Sequence, residues 1–492
     1  MRDISDLELL LASAIPIIVI ETHEEGRVID LFRRALVRVP KPLFHWTVTD
    51  GLRRLDRGFK SPSDVREPTE VLLEIKVARE PAIYLLSDFH PFLEDPVHVR
   101  LLRDVAQNRM LLGHTVVLLS HALEIPPELA RNCARFALSV PGRKQLKAIV
   151  LEEARTWSRR NSGRNVSTKK QLLDRLVDNL NGLPERDAKR LARGAIEDDG
   201  AITEEDFPPV MQAKFQLLGQ DGVLSYEYDT ARFAQVGGLE RLKEWLSLRE
   251  PVFAGTLNKP GLDIPKGILL LGVQGCGKSL AAKAVAGSWG VPLLRLDFGT
   301  LYNKYHGETE RNLREALDQA ETMAPCVLWI DEIEKGLSTD GGDSGTSRRV
   351  LGTLLTWMAE NNERAFLVAT ANDIETLPPE LLRKGRMDEI FFVDLPNLET
   401  RRRIFEIHMG MRELDTKKIA IEDLAAACDG FSGAEIEQAV VSALYASHAR
   451  GQSLDTQALL KEIRDTRPLS VVMAERVGAL RAWASERTVP AN

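Results

Sequence analysis

The chain has 492 residues, 44% of them hydrophobic and 28% charged, with a formal net charge of −7. That length gives room for roughly three or four compact units with sizeable cores. The acidic balance argues against a general nucleic-acid-binding surface, and four scattered cysteines without a CxxC pair or histidine cluster fit a reducing compartment and no structural zinc.

The opening Met1-Arg-Asp-Ile-Ser-Asp6 is acidic where a secretion signal would be basic. The apolar stretch from Leu9 to Ile20 is interrupted by Pro16 and is too short for a membrane span. A soluble, cytoplasmic protein without a membrane partner is expected. Ile17-Ile-Val-Ile20 reads as a first buried strand, followed by the acidic Glu21-Thr-His-Glu-Glu-Gly-Arg27. Another strand is read at Pro81-Ala-Ile-Tyr-Leu-Leu-Ser87-Asp88. The charged run Arg159-Arg-Asn-Ser-Gly-Arg164 reads as a solvated linker or helix face, and Gln220-Asp-Gly-Val-Leu-Ser225 as a boundary between halves.

The second half carries the chemistry. Gly267-Ile-Leu-Leu-Leu271 reads as a buried parallel strand and Leu280-Ala-Ala-Lys-Ala-Val-Ala286 as a helix, with Gly272-Val-Gln-Gly-Cys-Gly-Lys278-Ser279 between them. Strand, glycine loop and helix in that order make GxxxxGK[ST] a phosphate site. Backbone N–H groups of Gly272, Gln274, Gly275, Cys276, Gly277, Lys278, Ser279 and Leu280 would surround the phosphates, and glycine is needed where side chains would block the approach. Lys278 is expected to reach the β- and γ-phosphates and Ser279 to hold Mg2+. Cys276 sits where a helix N-terminus can lower a thiol pKa, which would make it redox-sensitive; the competing reading is a small, packed, inert thiol.

Pro325-Cys-Val-Leu-Trp-Ile-Asp331-Glu332 is an apolar run ending in two acids, as suits a central strand whose carboxyl end carries the site. Asp331 would bind Mg2+ through water, and Glu332 would orient or deprotonate the attacking water. The composition of Ser338–Ser347 favours a mobile loop. The next strand, Ala365-Phe-Leu-Val-Ala-Thr-Ala-Asn372, ends in an amide able to bond both γ-phosphate and water. Beyond it, Arg383 and Arg386 lie on a loop that cannot easily fold back on its own nucleotide, so they would serve a neighbouring subunit as trans arginines.

These motifs resemble those of the AAA family of ATPases over about residues 229 to 450. Phe233-Ala-Gln-Val236-Gly237-Gly238-Leu239 is similar to the segment that lies against adenine in that family, and Ile404, His408, Gly433 and Ala434 fall on positions that line its base pocket from the helical lid. Arg348 and Arg349 resemble a helix facing the adjacent subunit. Leu301-Tyr-Asn-Lys-Tyr305-His306-Gly307-Glu308 is similar to the pore loop of polypeptide-threading members, although His306 replaces their hydrophobic residue. The resemblance implies ATP, Mg2+ and a homo-oligomeric ring, usually hexameric, acting on a protein substrate or partner.

The first half repeats the second at an offset of roughly 250 residues. Ile125-Pro-Pro-Glu-Leu-Ala-Arg131 through Pro141 parallels Leu377-Pro-Pro-Glu-Leu-Leu-Arg383 through Pro396, and Gly182-Leu-Pro-Glu-Arg-Asp187 mirrors Gly430-Phe-Ser-Gly-Ala-Glu435. Where a phosphate loop should follow the first strand there are acids, which repel phosphate at a helix N-terminus, and Ser87 replaces the magnesium aspartate. The expected fold is therefore α/β, with two tandem P-loop-type modules, the first degenerate. The expected divisions are a degenerate α/β module over 1–140, a degraded helical lid and linker over 141–222, an ATPase core over 223–396 and a helical lid over 397–492. That arrangement resembles a group of AAA proteins found in bacteria and encoded in some plastid genomes. A ring-forming protein remodeller is the leading functional expectation. Its rival is a slow nucleotide-dependent scaffold whose first half recruits a partner.

Overall fold

The computed structural model describes residues 2–13, 15–55, 65–108, 113–219, 223–228, 230, 236–257, 259–303, 309–337, 344–361, 363–374, 376–383, 385–414 and 419–492. They divide into two compact units, Met1–Pro141 with Pro184–Arg186, and Gly142–Leu183 with Asp187–Asn492.

The first unit is built on β1 (Ile17–Glu21), β2 (Leu43–Thr47), β3 (Gly51–Arg54), β4 (Ile83–Ser87), β5 (Thr115–Ser120) and β6 (Cys133–Arg135) in the order β3-β2-β4-β5-β1-β6. All pairs are parallel except the β2–β3 edge. The strands alternate between two cores: Ile17 and Val19 pack on one side of the sheet, Ile18 and Ile20 on the other. A parallel sheet covered on both faces reads as a continuous apolar run for this reason.

In the second unit, the parallel pair β7 (Ser167–Thr168) and β8 (Ala201–Ile202) accompanies the helices Arg143–Arg160, Lys170–Asn179 and Phe207–Leu217 and, from Asp187 on, the helix Glu185–Glu197. They share a core of Leu146, Trp157, Leu176, Leu191, Ile196 and Val210, among others. Lys214, fully buried, reaches from this bundle to the Thr322 carbonyl at 2.5 Å as well as to that of Asn181 at 2.7 Å. The larger sheet contains β9 (Leu224–Glu227), β10 (Gly267–Gly272), β11 (Leu293–Leu296), β12 (Cys326–Ile330), β13 (Ala365–Ala371), β14 (Glu389–Val393) and β15 (Val489–Pro490), ordered β15-β14-β10-β13-β12-β11-β9.

Stripped of edge additions, the two sheets have the same plan. The orders β2-β4-β5-β1-β6 and β11-β12-β13-β10-β14 both place the first strand between the fourth and fifth. In β10, Ile268 and Leu270 face the helix Lys278–Trp289 while Leu269 and Leu271 face the opposite core. Each such side chain contributes about 1.5–3 kcal/mol over exposure. The internal repeat extends to Gly182 (φ 80) and Gly430 (φ 78), each three residues before a helix, at Glu185 and Gly433.

One expectation needs correction. Residues 344–347, expected to belong to a mobile loop, form the first turn of the helix Ser344–Glu360, because the apolar positions Val350, Leu354 and Met358 draw that helix onto the core. Among the described residues, no helix is long and apolar enough to cross a membrane.

Candidate active site

At Gly272 an added Cβ would lie 2.0 Å from the Val393 carbonyl, so β10 can approach β14 there only with glycine. The chain then turns through Gly275 (φ 78) and Gly277 (φ 87) into the helix that starts at Lys278. Gln274, Gly275, Cys276, Gly277, Lys278, Ser279 and Leu280 line a cavity of about 490 Å³. A helix N-terminus opening on a cavity of this size favours an anion.

Lys278 is only 6% exposed, and its Nζ donates to the Gly272 and Val273 carbonyls at 2.9 Å each. Burial lowers its pKa to about 8, against the opposing pull of the nearby acids Glu334, Asp331 and Glu332. Asp331, directly after β12, accepts at Oδ1 from Ser279 Oγ (3.1 Å) and from Thr370 Oγ1 (2.6 Å). Thr370 Oγ1 in turn accepts from the Glu332 N–H at 2.9 Å. Glu332 has φ 49, a left-handed conformation that a side chain occupies only where its surroundings hold it.

The Glu332 carboxylate accepts from Asn372 Nδ2 at 2.8 Å and is ion-paired with Lys335. Glu334, 7% exposed, accepts the Asn372 N–H at 2.9 Å, and its other oxygen is buried without a partner among the described residues. Burial raises the Glu334 pKa. The network therefore runs from the phosphate loop through Asp331 and Thr370 to Glu332 and Asn372, across the carboxyl ends of three adjacent strands.

The cavity is closed on the far side by Val236 and Gly237 and by Ile404, His408, Gly433 and Ala434 of the helical lid. Lid and loop touch directly: Ala434 N donates to the Gly275 carbonyl at 3.0 Å, and a Cβ on Gly275 would come within 2.9 Å of Ser432 Oγ. Burial lowers the His408 pKa, with Glu437, 3.6 Å from its Nδ1, pulling the other way. Burial also pushes the Cys276 thiol up to about 12, as the packed, inert reading requires.

Arg383 and Arg386 do not line this cavity. Arg386 donates to the Glu380 carbonyl of its own loop, whereas Arg383 is exposed and its side chain has no partner among the described residues. Arg348 and Arg349 are exposed on the helix Ser344–Glu360. Tyr305, His306 and Gly307 lie outside the described residues.

Three contributors escaped sequence reasoning. Thr370 is hidden inside an apolar strand, and Glu334 stands two positions past the acidic pair. Asn492 lines the cavity because β15 adds to β14, with Ala491 N donating to the Phe392 carbonyl at 2.9 Å. Only Glu334 left a signal, a third acid after the strand.

The donor set suits a hard cation. A hydroxyl and a carboxylate oxygen 3.1 Å apart, beside a helix N-terminus, match the oxygen ligands and partial hydration that Mg2+ keeps.

The AAA family model (ATPase family associated with various cellular activities) matches residues 268–395, and the AAA+ lid domain model matches 418–462. Models for the SpoVK-like AAA ATPase N-terminal domain and second domain match 3–138 and 144–221. The chain is 35% identical over 99% of its length to an uncharacterized AAA domain-containing protein, ycf46, of Guillardia theta, covering 95% of that protein. The Pyropia yezoensis protein of the same name is also 35% identical, with 98% of it covered. Over 52% of the chain it is 34% identical to the cell division cycle protein 48 homolog of Archaeoglobus fulgidus, covering 36% of that protein.

Proposed function

Because this chain belongs to the AAA ATPase family, we propose that it is a Mg2+-dependent ATP hydrolase working as a homo-oligomeric ring, in which each site is completed by Arg383 of a neighbour. The observation that carries this reading is the hydrogen-bonded path from Ser279 through Asp331 and Thr370 to Glu332 and Asn372 around one cavity. Val236, Gly237, Ile404, His408, Gly433 and Ala434 would hold the base. The loop N–H groups would hold the phosphates, with Lys278 exchanging its two carbonyl partners for phosphate oxygens. Ser279 and Asp331 would hold Mg2+, which supplies charge neutralisation on the phosphate oxygens.

Glu332, with its backbone set by Thr370 and its carboxylate by Asn372, is placed to orient water and take its proton. Arg383, exposed and outside its own cavity, is the residue suited to act in trans. ATP turnover per subunit, measured across a wide range of protein concentration, should climb and saturate; a rate independent of concentration contradicts trans completion. Movement of the Tyr305 loops against a protein substrate would make the ring a remodeller.

A second reading is favoured by one contact. The Lys335 ammonium is ion-paired with Glu332 and would hold the base in a resting state. This fits a slow nucleotide-dependent scaffold whose first half recruits a partner. Tyr305→Ala separates the two: a remodeller loses substrate processing while retaining ATPase, whereas a scaffold loses little.

A further inference from the structure

The first sheet carries its own constellation at the positions that the second sheet uses for hydrolysis. Asp88 is the first residue after β4 and Glu332 the second after β12, and the two share an uncommon backbone conformation, φ 52 and φ 49. His90 then stands at the place of Glu334, two residues further on. His121 follows β5 as Asn372 follows β13. The neighbouring strand ends agree, with Leu86 paired to Leu118 in the one sheet and Ile330 paired to Ala369 in the other.

Asp88, His90 and His121 each bring one ligand atom to within 4.8 Å of the others. Behind them lies the buried Ser120, whose Oγ donates to Asp88 Oδ1 at 3.3 Å and stands 2.8 Å from His90 Nδ1 and 3.4 Å from His121 Nδ1. The rings of His90 and His121 meet edge to face, 4.8 Å between centroids, and His23 stacks on His121 at 5.9 Å. Where the active module has its phosphate loop, the first module has only residues 22–24 before a helix, with Glu24 buried and ion-paired to Arg27.

We propose that Asp88, His90 and His121 form a divalent transition-metal site, with Zn2+ as the ion their chemistry favours. Two imidazoles and one carboxylate make a borderline-soft donor set, unlike the oxygen sets that select Mg2+ or Ca2+. Tetrahedral bonds of about 2.0–2.2 Å require ligand atoms closer together than they stand here. Asp88 and His121 are exposed, so side-chain rotation can supply that closure. Ser120 is the group that fixes ring orientation from behind, the usual task of a ligand's hydrogen-bond partner. Three protein ligands leave a position for water or for the His23 imidazole. The ion would join the ends of β4 and β5 where the active module handles phosphate. The expectation of no structural zinc rested on linear spacing, and these ligands converge only through the β4–β5 pairing.

The test uses the untagged full chain, stripped with a chelator and titrated with Zn2+ against a chromophoric competitor. Wild type should take up one tightly held equivalent. His90→Ala with His121→Ala should weaken binding at least about 100-fold, and Ser120→Ala about 10- to 100-fold. Circular dichroism would verify that the variants keep their fold. Lys278→Ala should bind Zn2+ like wild type, so failure here is distinguishable from failure of the nucleotide site. Less than a tenth of an equivalent bound by wild type, or binding unchanged in the double variant, would overturn the proposal and leave a polar cluster held by Ser120 alone.

Discussion

Asn372 Nδ2 donates to Glu332 Oε1 at 2.8 Å, joining the end of β13 to the second residue after β12. The amide thus positions the carboxylate. Asn372→Ala should lower kcat by about 10²-fold, the scale of a general-base contribution, with ATP affinity within a few-fold of wild type. Glu332→Gln keeps the hydrogen bond and loses the base, so it should retain bound ATP without turnover. Nucleotide content after rapid desalting, alongside single-turnover rates, checks both variants.

Lys278 gives a pH dependence with a definite sign. Its pKa in the described site is lowered to about 8 by burial, and phosphates beside it would raise that value. Binding ATP must then take up protons above pH 8, and affinity should fall as pH rises from about 8 towards 10. Calorimetry in two buffers of different ionisation enthalpy measures that uptake directly. Equal apparent enthalpies at pH 9 would contradict it.

The two loop arginines should behave differently. Arg383→Ala should cost on the order of 10³-fold or more in turnover with nucleotide binding intact. Arg386 is latched to the Glu380 carbonyl, so Arg386→Ala should mainly loosen the loop that carries Arg383 and cost less. Paired kcat and nucleotide-affinity measurements on both variants decide this.

Lys214 is fully buried, its pKa lowered to about 8 by burial, and it donates to the carbonyls of Asn181 and Thr322. Lys214→Met removes this side-chain donor from both, costing about 1–3 kcal/mol per carbonyl left unpaired. Because the folded pKa lies below the ordinary 10.5, the unfolded chain binds more protons between the two values. The lysine's charge penalty, complete below pH 8, is therefore relieved as pH rises through that window. The Tm gap between wild type and Lys214→Met should widen from about pH 7 to pH 9. A gap independent of pH would sink the assignment.

What was legible in the sequence was local or repeated. The phosphate loop needs only one strand, one turn and one helix, and Gly272 through Ser279 spell all three. Asp331, Glu332 and Asn372 were legible because each ends an apolar run at the carboxyl edge of a parallel sheet. The shared plan of the two sheets was visible through the match of Ile125–Pro141 with Leu377–Pro396. Thr370 could not be found, because its hydroxyl matters only through the register that sets β13 beside β12. Asn492 was hidden for a similar reason, since β15 reaches the cavity by pairing with β14 across most of the unit. The start of the Ser344 helix was misread because small polar residues form a helix there under the pull of Val350, Leu354 and Met358.

Mixing two inactive variants tests the central claim most directly. Arg383→Ala retains its own base but lacks the arginine it would lend, and Glu332→Gln lends its arginine but lacks the base. Each should be inactive alone, and mixing them after subunit exchange should restore ATP turnover, because an Arg383→Ala site beside a Glu332→Gln neighbour is complete. Mixtures as inactive as their components, in rings shown to have exchanged subunits, would contradict completion in trans.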